Sequence, residues 1–348
     1  MELTGGRGSG GRGSGRRDRR WRDGGREDRR GAGRRRRTLL AALITTCLVV
    51  PLSAAARPTV PAPDPARLGR VTATTLDAAY AANRANAAEA SRMAADHGDS
   101  GRADVERAMA DDPSRQLLAF DGRGAGRATE VFGDLARADR IGVLIPGSDT
   151  GLDTYGRFRA AAEALHRQLA HEAPGTPTAV VAWLGYETPG TVSTTVMTTD
   201  RADEAAPELR EFIGRLRVVT GEDAQVALVC HSYGSVVCAR AASGLDVEDL
   251  VVVGSPGTGV DSAADLDTPA RIWAGRGAGD WVADVPHLRA DLFGTTVGFG
   301  TDPMSPAYGA RRFAAGSGGH SDYFTPGSVA LANLARIVLG ETSEVGRD

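Results

Sequence analysis

From Gln116 onward two kinds of apolar pattern alternate along the chain, and few architectures can absorb that alternation. Short runs that are apolar at nearly every position occur at Leu117 to Phe120, Ile141 to Ile145, Ala179 to Leu184, Gln225 to Val229 and Leu250 to Val253. Between them lie longer stretches that are apolar every third or fourth residue, at Phe158 to Leu169, Ala202 to Leu216 and after Ser232. A strand apolar on both faces must be covered on both faces, and the helical segments between the strands supply the cover. The expectation is an α/β domain built on a mainly parallel sheet with helices on both faces. Arg271 to Ala274 and Arg311 to Ala314 are the expected last strands, and Ser328 to Leu339 the closing helix. An Ala-rich helical segment from Thr75 to about His97 precedes the sheet.

The corner Val229-Cys230-His231-Ser232-Tyr233-Gly234-Ser235 takes a strand straight into a helix with a serine at the bend. It reads as a nucleophile elbow, in which a tight turn lifts the hydroxyl above the sheet and the residues two positions away must be small. Gly234 meets that requirement; Cys230 stands where glycine is usual but is also small. The plain alternative is a serine capping a helix. A serine attacks well only when a base takes its proton, and in such folds the acid and then the histidine follow it in the chain. Of the two histidines that follow Ser232, His287 comes too early to leave room for an acid. His320, in Gly318-Gly319-His320-Ser321-Asp322-Tyr323, lies in a glycine-rich loop before the closing helix and is the expected base. Asp280 follows a strand through Gly275-Arg276-Gly277-Ala278-Gly279 and is the expected orienting acid, with Asp284 the runner-up and Asp302 third.

Two backbone donors are expected to face the charge that develops on a carbonyl oxygen under attack: the amides of Tyr233 and of Ser148, the latter in Pro146-Gly147-Ser148-Asp149 after a strand. Gly254-Ser255-Pro256-Gly257 should line the same mouth. Tyr155, Trp183, Tyr186 and Trp281 are candidates for its walls, with core packing the plainer role. His231, His97, His166 and His171 read as packing or surface residues, and the five-residue spacing of the last two does not suit a metal.

Together these segments resemble the actinobacterial α/β-hydrolase family catalogued as domain of unknown function 1023. The likeness covers roughly residues 75 to 342. It is carried by Leu117 to Asp121, Ile141 to Gly147, Trp183-Leu184-Gly185-Tyr186, His231-Ser232-Tyr233-Gly234-Ser235, Gly254-Ser255-Pro256-Gly257 and Gly319-His320-Ser321-Asp322-Tyr323, in that order. The resemblance implies the α/β-hydrolase fold, Ser232, Asp280 and His320 as a triad, and frequent export; it names no substrate. The expected chemistry is attack on a small-molecule or lipid-like acyl ester through an acyl-enzyme, without metal or organic cofactor. The alternatives are an acyltransferase on the same triad and a non-catalytic exported binding module. No long insertion resembles a lid, so short or surface-presented acyl groups are expected.

Residues 1–37 carry 14 Arg against 5 acidic residues in Gly/Arg low complexity, and residues 38–56 are almost wholly apolar. Arg36-Arg37-Thr38-Leu39-Leu40 resembles a twin-arginine signal, Pro51 breaks the apolar stretch, and Ala54-Ala55-Ala56 offers a cleavage site. Export machinery is therefore an expected partner and the chain is expected outside the cytoplasm, with a membrane anchor at 38–56 the alternative. Transient membrane contact is compatible with either. Residues 57–74 read as a Pro-rich linker and 75–342 as the hydrolase domain. Beyond the leader, 27 Arg face 39 acids, which opposes nucleic-acid binding. The absence of lysine excludes a P-loop. Cys47 lies in the leader; Cys230 and Cys238 are expected to be too far apart to bridge, and to be small buried hydrophobes.

Overall fold

The structure, a computed structural model, describes residues 60–191, 198–285, 290–292 and 295–346. The Arg/Gly-rich leader, the apolar stretch 38–56 and His287 lie outside the described residues, which belong to one compact unit, Thr59–Asp348. Eight strands make one sheet: β1 (Gln116–Asp121), β2 (Arg127–Gly133), β3 (Arg140–Ile145), β4 (Thr178–Leu184), β5 (Gln225–His231), β6 (Asp249–Val253), β7 (Arg271–Gly275) and, after the small hairpin β8 (Ala290–Leu292) and β9 (Thr295–Val297), β10 (Arg311–Arg312). Their order is β1-β2-β4-β3-β5-β6-β7-β10, with β1/β2 and β2/β4 antiparallel and the rest parallel. This is the α/β-hydrolase fold.

Helices cover both faces, and the alternation of side chains along each strand decides which core each residue joins. On β3, Ile141, Val143 and Ile145 join the face packed by α4 (Asp200–Thr220) and α5 (Gly234–Ala241), while Leu144 joins the face packed by α3 (Tyr155–Glu172) and α6 (Val329–Leu339). On β5, Val226, Leu228 and Cys230 face one way and Ala227 and Val229 the other. An apolar layer is built by α1 (Leu76–Asp96) and α2 (Ser100–Asp111) against β1, through Ala87, Ala90 and Met109 with Leu117 and Phe120. Part of the expected linker 57–74 reaches into this layer: Ala62 packs on it, and the Asp64 carbonyl accepts from Asn86 Nδ2 at 2.8 Å.

Three features depart from the sequence reading. The strand β2 was hidden because Glu130 interrupts its apolar run; that carboxylate is buried in a two-point ion pair with Arg115, at 2.8 and 2.5 Å. The strand expected over Arg311 to Ala314 pairs only at Arg311 and Arg312. Third, Cys230 and Cys238 form a disulfide, with Cα atoms 6.5 Å apart. The expectation of two separate thiols rests on Cys238 lying well down the helix that follows the strand ended by Cys230. The elbow instead folds the helix back beside β5, so that its second turn lies next to Cys230.

The α2 helix also holds a buried charge problem. Both carboxylate oxygens of Glu106 lack a hydrogen bond among the described residues, and its nearest cation, Arg102 Nη1, is 3.8 Å away. Burial pushes its pKa up to about 7, against the pull of Arg102. The folded-state value lies above the unfolded one, so its contribution to stability is fully present at low pH and is lost as pH rises through about 7. Glu106→Gln is neutral throughout, so its melting temperature relative to the parent is expected to climb by several degrees between about pH 5 and pH 8. A difference that stays constant across that range would show that Glu106 does not titrate there.

Candidate active site

In this sheet β3 leads outward through α3 to β4, and the chain then returns past β3 through α4 to β5, so the carboxyl ends of β3 and β5 form the switch point where open α/β sheets place ligands. Two turns meet there. The corner after β5 places Ser232 and Tyr233 between strand and helix, with Ser232 at φ 54°, a left-handed conformation that opposes an L-residue by about 1–2 kcal/mol. Its N–H donates to the Val253 carbonyl at 3.0 Å, and its own carbonyl accepts from the Ser235 hydroxyl. The turn after β3 comes so close that a Cβ on Gly147 would lie 2.6 Å from Ser232 Cβ, and one on Gly234 would lie 2.6 Å from the Pro146 carbonyl. Both positions admit only glycine.

The β3 turn is anchored from outside. Tyr186, buried, donates to the Pro146 carbonyl at 2.7 Å, and Asp149, itself at φ 56°, accepts the Thr191 amide at 3.1 Å. Ser148 and Tyr233 both line the cavity in front of Ser232, and neither backbone amide has an acceptor among the described residues.

The structure brings Ser232, His320 and Asp280 into one line. Ser232 Oγ lies 2.9 Å from His320 Nε2, and His320 Nδ1 lies 2.9 and 3.1 Å from the two Asp280 oxygens. Nδ1 facing a carboxylate carries the proton, which leaves the Nε2 lone pair toward the serine hydroxyl. Asp280 also accepts the Val282 amide at 2.9 Å and the Tyr323 hydroxyl, which in turn accepts the Gly277 amide at 3.2 Å. Burial alone would raise its pKa; the Tyr323, Val282 and His320 contacts outweigh it and hold the carboxyl below its ordinary range. Asp284 is exposed on the turn that follows, and Asp302 is held by Arg276 at 3.0 and 2.9 Å.

Several neighbours of the triad take a closer part in it than the sequence reading gave them. His231, read as a packing or surface residue, lies with its ring 4.7 Å from that of His320, and its Nε2 is 2.7 Å from the His320 carbonyl. A carbonyl only accepts, so Nε2 carries the proton; burial, reinforced by His320, lowers this pKa to about 4 and keeps the ring neutral. Gly254 has φ 55°, and a Cβ there would meet Asp280 Oδ2 at 2.8 Å and His320 Nδ1 at 3.1 Å. The sequence reading put Gly254 at the mouth with Ser255, Pro256 and Gly257, but not against the triad itself. Of the four aromatic candidates, Tyr155, Trp183 and Tyr186 are core residues, whereas Trp281 is 54% exposed, lines the cavity and lies 4.8 Å from the His320 ring. The cavity measures about 1040 Å³.

Residues 121–290 match a family model described as alpha/beta hydrolase. An uncharacterized protein of Mycobacterium tuberculosis is 30% identical over 259 residues, which are 66% of this chain and 39% of that protein. The chain thus spans well under half the length of that relative. A second uncharacterized protein, of Mycobacterium bovis, is 29% identical over 195 residues, covering 52% of this chain and 73% of its own. Among solved structures, an α/β serine hydrolase without a lid from Xanthomonas campestris is similar at a TM-score of 0.41 and 17% identity, over 65% of this chain and 94% of that one.

Tyr323→Phe removes the hydroxyl that joins Asp280 to the Gly277 amide while keeping the ring. It is expected to lower stability by about 1–3 kcal/mol in urea unfolding, because a buried carboxylate and a buried amide both lose a partner. A change within a few tenths of a kcal/mol would show that water or a shifted loop replaces the hydroxyl at no net loss.

Proposed function

We propose that this protein is an exported serine hydrolase that cleaves carboxylic esters through an acyl-enzyme, with Ser232 as nucleophile, His320 as base and Asp280 as the orienting acid. The observation that carries the reading is the unbroken hydrogen-bonded line from Asp280 through His320 to a serine held at a left-handed corner. In the first step His320 Nε2 takes the Ser232 proton as Oγ attacks the carbonyl carbon. Asp280 stabilises the imidazolium without taking its proton, and the Tyr233 and Ser148 amides donate to the oxyanion. The protonated Nε2 then gives its proton to the departing alkoxide, leaving an ester on Ser232. Water, deprotonated by the same nitrogen, attacks that ester and restores the serine. The match to the alpha/beta hydrolase family model supports this reading, as does the resemblance drawn from the sequence.

A fluorophosphonate reports an activated serine without a known substrate. Residues 57–348 are expected to be labelled, Ser232→Ala to abolish labelling, and Asp280→Asn and His320→Ala to slow it by roughly a thousandfold or more. Well-folded protein that resists the reagent would refute the nucleophile assignment and favour an exported binding module.

Export is part of the same proposal. The leader pattern supports it, and so does the Cys230–Cys238 disulfide, since such bonds persist in oxidising compartments. Cleavage after Ala56 also removes Cys47, so the exported protein is expected to begin near Arg57 and to show no titratable thiol when denatured without reductant. One free thiol would mean that the leader is retained; two, on a chain beginning near Arg57, would mean that the pair is reduced and the compartment reading wrong.

A further inference from the structure

The cavity in front of Ser232 is not a shallow mouth. From the nucleophile its lining continues along α3, through Phe158, Ala160, Ala161 and Ala164. Phe324 and Pro326, a few residues beyond His320, line the same cavity. The helix itself is fixed by its neighbouring stripe, Ala162, Leu165 and Leu169, which is fully buried on the sheet. Beside it Ala160 is exposed and Ala161 half-buried, so their small side chains leave the space in front of the helix open. Arg157 and Arg167 line the two ends of the alanine stretch, and ten residues of helix separate them by about 15 Å.

The alanine and phenylalanine side chains of this stretch offer water no hydrogen-bonding partners. With about 1040 Å³ the cavity is far larger than a short acyl group needs. We propose that the arm of the cavity along α3 holds an unbranched hydrocarbon chain of the ester, so that the substrate is a medium- or long-chain ester and not an acetyl-type one. This rests on the reading of Ser232 as nucleophile, and it replaces the expectation of short acyl groups. That expectation came from the lack of a lid insertion, but the room here comes from three small side chains on a helix, which their sequence does not mark as a wall. The chain belongs to either the acyl or the alcohol limb of the ester; both present the same hydrocarbon to the trough.

Two series of esters test this on residues 57–348: p-nitrophenyl esters from acetate to decanoate, and acetates of alcohols from methyl to decyl. In one of the two, kcat/KM is expected to rise by about fourfold per added methylene until the trough is full. Ala160→Phe and Ala161→Phe, checked for folding by thermal melting, are expected to lower the long-to-short ratio in that series by at least tenfold. Flat dependence in both series, or a ratio that neither variant moves, would overturn the proposal. Fluorophosphonate labelling separates the two ideas: labelling with no chain-length preference sinks the trough alone, and no labelling sinks the nucleophile. In the latter case binding of dansyl-labelled undecanoate to the same protein still decides, since weakening by Ala161→Phe supports the trough and failure to bind overturns it.

Discussion

Everything in the site depends on two backbone turns lying closer together than side chains would permit. The turn after β3 and the elbow after β5 meet over Gly147 and Gly234, where any Cβ would be forced within 3 Å of the facing turn. That approach sets Ser232 at the carboxyl end of the central strands, beside the turn that carries Ser148. It also holds the serine in a left-handed conformation that it would not keep unaided. The cross-link Cys230–Cys238 spans the same elbow from below, joining the end of β5 to the second turn of α5. In the chain-entropy picture so short a loop contributes roughly 2–3 kcal/mol, acting on the element that presents the hydroxyl.

The other half of the site is assembled by loops, and glycine again sets the spacing. The segment 275–280 and the segment 316–322 are joined backbone to backbone, Ala278 N–H to Gly316 at 2.9 Å and Gly279 N–H to Gly318 at 3.3 Å. A Cβ on Gly277 would lie 2.1 Å from the Gly318 carbonyl. Asp280 and His320 therefore leave from two loops that behave as one, over the bare backbone of Gly254. Tyr323 and His231 complete the support, the first by holding Asp280 and a loop amide together, the second by a neutral N–H on the His320 carbonyl. A buried carboxylate with three donors around it and a ring fixed at both nitrogens has little freedom left, which is the condition for a proton to move along a defined path.

The helical layer of α1 and α2 is tied to the site at one remove. Arg102, 3% exposed, donates to Asp153 at 2.7 Å and to the carbonyls of Gly122 and Gly124, just ahead of the first turn of α3. Through that contact the N-terminal layer fixes the start of the helix whose alanine stripe walls the cavity. Fold, nucleophile and cavity wall thus share one frame, and the only exposed large aromatic side chain among the described residues, Trp281, stands over His320.

The sequence by itself determined the sheet-and-helix rhythm, because period is a local property: continuous apolar runs, helical stripes and the corner at Ser232 are each legible within about ten residues. It also singled out Ser232, Asp280 and His320 as candidates, since glycine-rich loops after strands mark where side chains can be presented. Only the tertiary structure decided what depends on distance between segments. Glu130 is polar in sequence, yet it sits in a buried strand because Arg115 neutralises it there. Cys230 and Cys238 seemed separate until the elbow folded helix onto strand. Gly254 and His231 take on their place only when a loop more than sixty residues further along arrives beside them, and three alanines become a wall only when something stands opposite. Local patterns fix what a segment can be; which segments meet, and what space they leave, is a property of the packed chain.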